Sequence, residues 1–183
     1  MFKIDLFSSK KALEGFILFQ FTIVMISILV SYKIAYSMTH IIEQNIVLNL
    51  LLGIIGFAVV YFLHEFIHNI MFRMFSKGNK PTYRIRLGLM TTHMPNVYFK
   101  KWQYISIMLA PFVIITTAIF ILFSFFAYSS FIFIACFHIG YCVLDLYFLS
   151  GAFNKNVQLI EDTEDGIIFY TKASLQDLQI EAK

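Results

Sequence analysis

The chain has 183 residues, 59% of them hydrophobic and only 14% charged, with a mean hydropathy of +0.75 and a formal net charge of +3. That balance excludes a water-soluble globular domain and a disordered chain, both of which need more charge, and points to an integral membrane protein. Two cysteines in so long a chain exclude a disulfide scaffold.

In chain order, Lys3, Lys10 and Lys11 precede a first apolar stretch from Gly15 to Tyr32, read as a helix over about 14–36. It is longer than a secretory h-region and no small-residue cleavage site follows, so it is expected to remain as an anchor. A second apolar stretch runs over 46–75. The segment 76–101 is basic, with Lys77, Lys80, Arg84, Arg86, Lys100 and Lys101. From Trp102 to Leu144 there is no Lys, Arg, Asp or Glu. One crossing needs about 20 residues, so this stretch is read as two helices, over about 102–127 and 130–152, turning near Tyr128-Ser129-Ser130. Pro111 is expected to loosen the first of them, freeing backbone groups that neighbours must satisfy.

Thr82-Tyr83-Arg84-Ile85-Arg86-Leu87 alternates polar and apolar residues, and Val97-Tyr98-Phe99 follows Pro95-Asn96, so a β-hairpin is expected in the basic loop. Its exposed edge is suited to pairing with an extended substrate segment; the alternative is a hairpin that merely caps the helix ends. In the tail 153–183, Val157-Gln158-Leu159-Ile160 and Ile167-Ile168-Phe169-Tyr170 flank an acidic run ending in the turn signal Asp165-Gly166, which predicts a second hairpin with a solvated tip. Pairing of those acids with the basic loop is the alternative. The expected fold class is all-α integral membrane: four transmembrane helices in one membrane-embedded domain over 1–183, with two small hairpins outside the bilayer.

Basic residues cluster before the first helix and between the second and third, while the connection after the first offers only Lys33. By the positive-inside rule both termini and the central loop are cytoplasmic, in a multi-pass cell-membrane protein. The loop charge suits anionic lipid, and nucleic acid is not expected as a partner. Cys136 and Cys142 fall on different faces of the fourth helix and are read as packing residues.

Within the second apolar stretch stands His64-Glu65-Phe66-Ile67-His68, an HExxH motif. On a helix its two histidines share a face one turn apart and can hold one zinc ion, while the glutamate serves as a base toward water. Ionisable groups at membrane depth are costly and mark function by default. A catalytic zinc needs a third protein ligand. The one other acid deep in an apolar stretch is Asp145, and both His68 and Asp145 lie about 10 Å inside the ends of their helices at 1.5 Å rise per residue. His138 and Cys142 share its helix face; Asp145 ranks first as third ligand, His138 second and Cys142 third. His93, in the loop, is read as a surface histidine.

HExxH on one transmembrane helix, a basic strand-prone loop and a later Leu-Asp pair resemble the site-2 proteases, intramembrane zinc metalloproteases. The small four-helix size and the acidic tail from Ile160 to Gly166 look more like their compact bacterial relatives, grouped as putative zincin peptidases. The resemblance implies His64, His68 and Asp145 as ligands of one zinc ion per chain, Glu65 as catalytic base, and a membrane protein or peptide as substrate. The chain departs from the site-2 protease pattern in reading Leu144-Asp145-Leu146 where many members have Leu-Asp-Gly, and in lacking a PDZ-like insert. Two rival readings are a non-catalytic metal-binding membrane module acting through a protein partner, and a haem carrier ligated by His68 and His138. Glu65 has no role in either.

Reporter fusions test the topology. Fusions after Lys11, in the Met38 to Gln44 connection, at Asn79 and at Lys183 are expected to read inside, outside, inside and inside. An external Asn79 inverts the scheme.

Overall fold

The computed structural model describes residues 1–42, 45–86 and 89–174. Leu87 of the expected first hairpin, Gln44 of the first connection and Lys183 lie outside the described residues. Among these residues, four helices are long and apolar enough to cross a membrane. They are α1 (Lys10–Met38), α2 (Ile46–Phe75), α3 (Lys101–Phe125) and α4 (Ser129–Leu149), the last extended by a 3-10 turn over Ser150–Phe153. The strands are β1 (Phe2–Ile4), β2 (Thr82–Arg86), β3 (Leu89–Lys100), β4 (Val157–Thr163) and β5 (Gly166–Thr171). Helix boundaries fall within a few residues of those read from hydropathy, and α3 runs unbroken through Pro111.

Local chemistry sets the helix ends. Asn45 Oδ1 accepts from the Val47 and Leu48 amides at 2.9 and 3.2 Å, capping the donors that the first turn of α2 leaves open. At its other end Lys77 and Gly78 take positive φ, and the Gly78 amide reaches back to the Arg73 carbonyl at 3.1 Å. The Gln103 side chain accepts from the Lys100 amide at 2.8 Å and starts α3.

The chain divides into two compact units. One, the sheet unit, comprises Met1–Leu13, Glu65–Ala110 and Asp145–Lys183; the other, the helical unit, comprises Glu14–His64 and Pro111–Leu144. In the helical unit, small residues let helices approach closely. A side chain on Gly53 would meet Phe133, on Gly56 Ile134, and on Gly140 Val24. Gln20 Nε2 adds a hydrogen bond to the Gly140 carbonyl at 3.0 Å, which satisfies an amide in apolar surroundings.

In the sheet unit the two expected hairpins are parts of one antiparallel sheet, ordered β1-β5-β4-β3-β2. This widens the all-α expectation to four apolar helices with a small sheet. Long β3 joins the hairpins: its first half pairs with β2, its second with β4, and the register shifts between Met94 and Tyr98, where Pro95 and left-handed Asn96 sit. The N-terminal β1 pairs with β5, and Phe2 stacks on Phe169 at 4.9 Å between ring centroids. Central β4 buries Glu161 and Asp162 as well as Ile160. Glu161 is satisfied by the Asn96 amide at 2.9 Å and the Tyr170 hydroxyl at 2.8 Å.

Gly166 opens β5 at φ +135°, and a Cβ there would collide with the Ile4 carbonyl oxygen. Gly166→Val is expected to cost about 1–3 kcal/mol, the usual scale of backbone strain. Denaturant titration in micelles reads the loss, and an unchanged midpoint would show that β1 does not constrain the turn.

Candidate metal centre

The HExxH segment lies on α2, and the boundary between units passes through it: His64 closes one stretch of the helical unit and Glu65 opens one of the sheet unit. The helix is continuous there, so His64 and His68 occupy successive turns of one face. Both are buried, as is Glu65, at 0%, 4% and 4% exposure respectively.

In the sheet unit, Thr92 of β3 grips Glu65. Its amide donates to Oε2 at 2.9 Å and its hydroxyl to the same oxygen at 2.7 Å. A buried carboxylate needs such donors, and one residue supplies both. Thr92 carries no sequence signal for this role, because the contact depends on how a strand from the loop meets α2.

His68 Nε2 stands 3.5 Å from Asp145 Oδ1. That exceeds the roughly 2.7–2.9 Å of a charge-assisted hydrogen bond. It is close to the roughly 3.4 Å that separates two ligand atoms held about 2.0–2.1 Å from one tetrahedral zinc. An imidazole and a carboxylate at this spacing, both largely buried, fit a zinc ligand set.

His93 corrects the surface reading. Its ring is largely buried, with Nδ1 2.7 Å from Asp162 Oδ1 and Nε2 2.9 Å from Thr91 Oγ1. Burial pushes the Asp162 carboxyl above the usual carboxylate range, and the His93 hydrogen bond and charge draw it partly back. The acidic run is likewise not a simple solvated tip. Glu161 and Asp162 lie inside the sheet, while Arg84 Nη1 reaches Asp165 Oδ1 at 2.6 Å and Glu164 Oε2 at 3.8 Å. The pairing with the basic loop is thus present.

In the helical unit, His64 meets the two lower-ranked candidates. His64 Nδ1 is 3.3 Å from His138 Nε2, and Cys142 Sγ is 3.4 Å from that same nitrogen and 3.9 Å from His64 Nδ1. His138 and Cys142 lie one turn apart on α4. The Tyr141 ring stands edge-on to His64 at 4.8 Å between centroids. Cys142 is therefore part of a polar cluster rather than plain packing. Cys136 does pack, in an apolar cluster with Ala35 and Ile132, with Sγ 3.6 Å from Ser31 Oγ.

A family model described as putative zincin peptidase matches residues 57–158, a span that includes the HExxH segment, the basic loop and Asp145. No curated protein and no solved structure matches the chain.

Thr92→Val removes the hydroxyl donor to Glu65 while keeping side-chain volume. The expected cost is about 1.5–3 kcal/mol, as for a hydrogen bond to a charged group, with Thr92→Ser near wild type. Equal unfolding midpoints for the Val variant and wild type would show that the hydroxyl contributes nothing.

Proposed function

The chain belongs to the putative zincin peptidase family, and on that premise we propose that it is a membrane-embedded zinc metallopeptidase hydrolysing peptide bonds within or next to the bilayer. His64, His68 and Asp145 hold one zinc ion, and Glu65 is the general base. The observation that carries this reading is the 3.5 Å approach of His68 Nε2 to Asp145 Oδ1, two side chains from distant parts of the sequence. Two imidazoles and a carboxylate are a ligand set known for catalytic zinc, with a position left open.

Zinc bound there supplies a Lewis acid for the scissile carbonyl and makes water more acidic. The chain's own groups do the rest. Thr92 fixes Glu65 Oε2, so the carboxylate is oriented before substrate arrives. Glu65 then accepts the proton of the attacking water and passes it to the leaving amine. Its depth in an apolar helix requires an enclosed polar route for that water. In our reading the route opens on the cytoplasmic side, with the central loop and both termini.

Substrate binding falls to the sheet. Among the described residues β2 ends the strand order, and its Tyr83 and Ile85 are exposed. An extended segment adding to that edge through backbone hydrogen bonds arrives in the conformation that peptidases cleave.

Glu65→Gln keeps the volume and the ligands but removes the base. Zinc content is expected to persist while turnover of membrane-associated substrates in lipid falls at least about a hundredfold. Asp145→Ala is expected to lower zinc content and activity together, since two imidazoles alone remain. Proteolysis unchanged in Glu65→Gln would sink the hydrolytic mechanism and favour a binding role.

A further inference from the structure

His64, His138 and Cys142 are 0%, 0% and 1% exposed, and their ring nitrogens and thiol converge inside the helical unit. Two of the three contacts are near the length of a tetrahedron edge, and the third is somewhat longer. Ligand nitrogens about 2.0–2.1 Å from a zinc-like ion stand about 3.4 Å apart, and nitrogen and a sulfur at about 2.3 Å stand about 3.6 Å apart. The three separations are 3.3, 3.4 and 3.9 Å.

We propose that His64 Nδ1, His138 Nε2 and Cys142 Sγ form a second metal seat, for zinc or another thiophilic divalent cation, distinct from the set that includes His68 and Asp145. The chemistry differs between the two: a thiolate with imidazoles favours softer ions, whereas a carboxylate donor is hard. The seat draws on Nδ1 of His64, and where the ring's second nitrogen also ligates the ion of the proposed peptidase set, the imidazole gives up its N–H proton as an imidazolate. Binding converts the Cys142 thiol to thiolate and releases its proton. Helix spacing builds the seat economically, because His138 and Cys142 present their side chains from successive turns of α4 toward one residue of α2. The inference does not depend on peptidase activity or on Glu65.

Cobalt(II) titrated into the metal-free full-length chain in lipid nanodiscs is the test, read by absorbance. A seat containing Cys142 gives a thiolate-to-cobalt charge-transfer band in the near ultraviolet. That band is expected in wild type, Cys136→Ser, Glu65→Gln and Asp145→Ala, and is expected to vanish in Cys142→Ser. His138→Gln, which keeps the thiol, is expected to weaken the band and the cobalt affinity that goes with it. Asp145→Ala and Glu65→Gln separate this proposal from the peptidase reading, since both disable catalysis in that reading yet leave the seat whole. Cobalt binding without a thiolate band, a band that survives Cys142→Ser, or no cobalt binding in wild type would each overturn the seat. His138 would then be a hydrogen-bond partner that orients His64.

Discussion

A carboxylate taken out of water must find donors inside the protein, because the cost of leaving it bare exceeds what any single packing contact returns. Much of the sheet unit follows from that constraint. Glu65 is satisfied by Thr92, Asp162 by His93 and Glu161 by Asn96 and Tyr170. Three of those four donor residues lie on β3. The strand is therefore fixed from both sides, to α2 through Thr92 and to β4 through His93 and Asn96. The irregular stretch around Pro95 follows: without the shift in register and the left-handed Asn96, the strand would not present its amide to Glu161 while continuing to pair with β4.

The helical unit obeys a different rule. Its helices are apolar along most of their length, and their close approach relies on van der Waals contact over small residues. Gly53 and Gly56 of α2 face Phe133 and Ile134 of α4, and Phe57 packs edge-on against Phe137 at 5.9 Å. These contacts hold α2 against α4 along the turns that lead to His64 and His138. A polar cluster of two imidazoles and a thiol is thereby positioned by an apolar seam.

The helices were legible because their signal is local and long: runs of about 20 or more apolar residues, set off by charge or, between the third and fourth, by the Tyr128-Ser129-Ser130 turn. The HExxH motif was legible for the same reason, its chemistry residing in a spacing of one helix turn. Asp145 stood out as an acid in an apolar run, and the structure sets it near His68. What the sequence could not disclose depends on partners far along the chain. Phe2-Lys3-Ile4 is too short to show alternation, so β1 is visible only through its pairing with β5. Glu161 and Asp162 read as part of an exposed acidic turn, because nothing local says that β4 is a central strand. Thr92 is an ordinary β-prone residue until Glu65 is beside it.

The pairing of β1 with β5 also bears on how the protein is made. A sheet whose first strand waits for its last cannot close during synthesis of the helices, since β5 leaves the ribosome only after all four apolar segments have been translated. Such non-local pairing delays closure of the fold. Until then Phe2 and Ile4 lack their strand partner, and β3 lacks β4. The four apolar helices are therefore made before the sheet closes, and the Glu65–Thr92 grip joins a helix and a strand that both precede β4 and β5 in the chain.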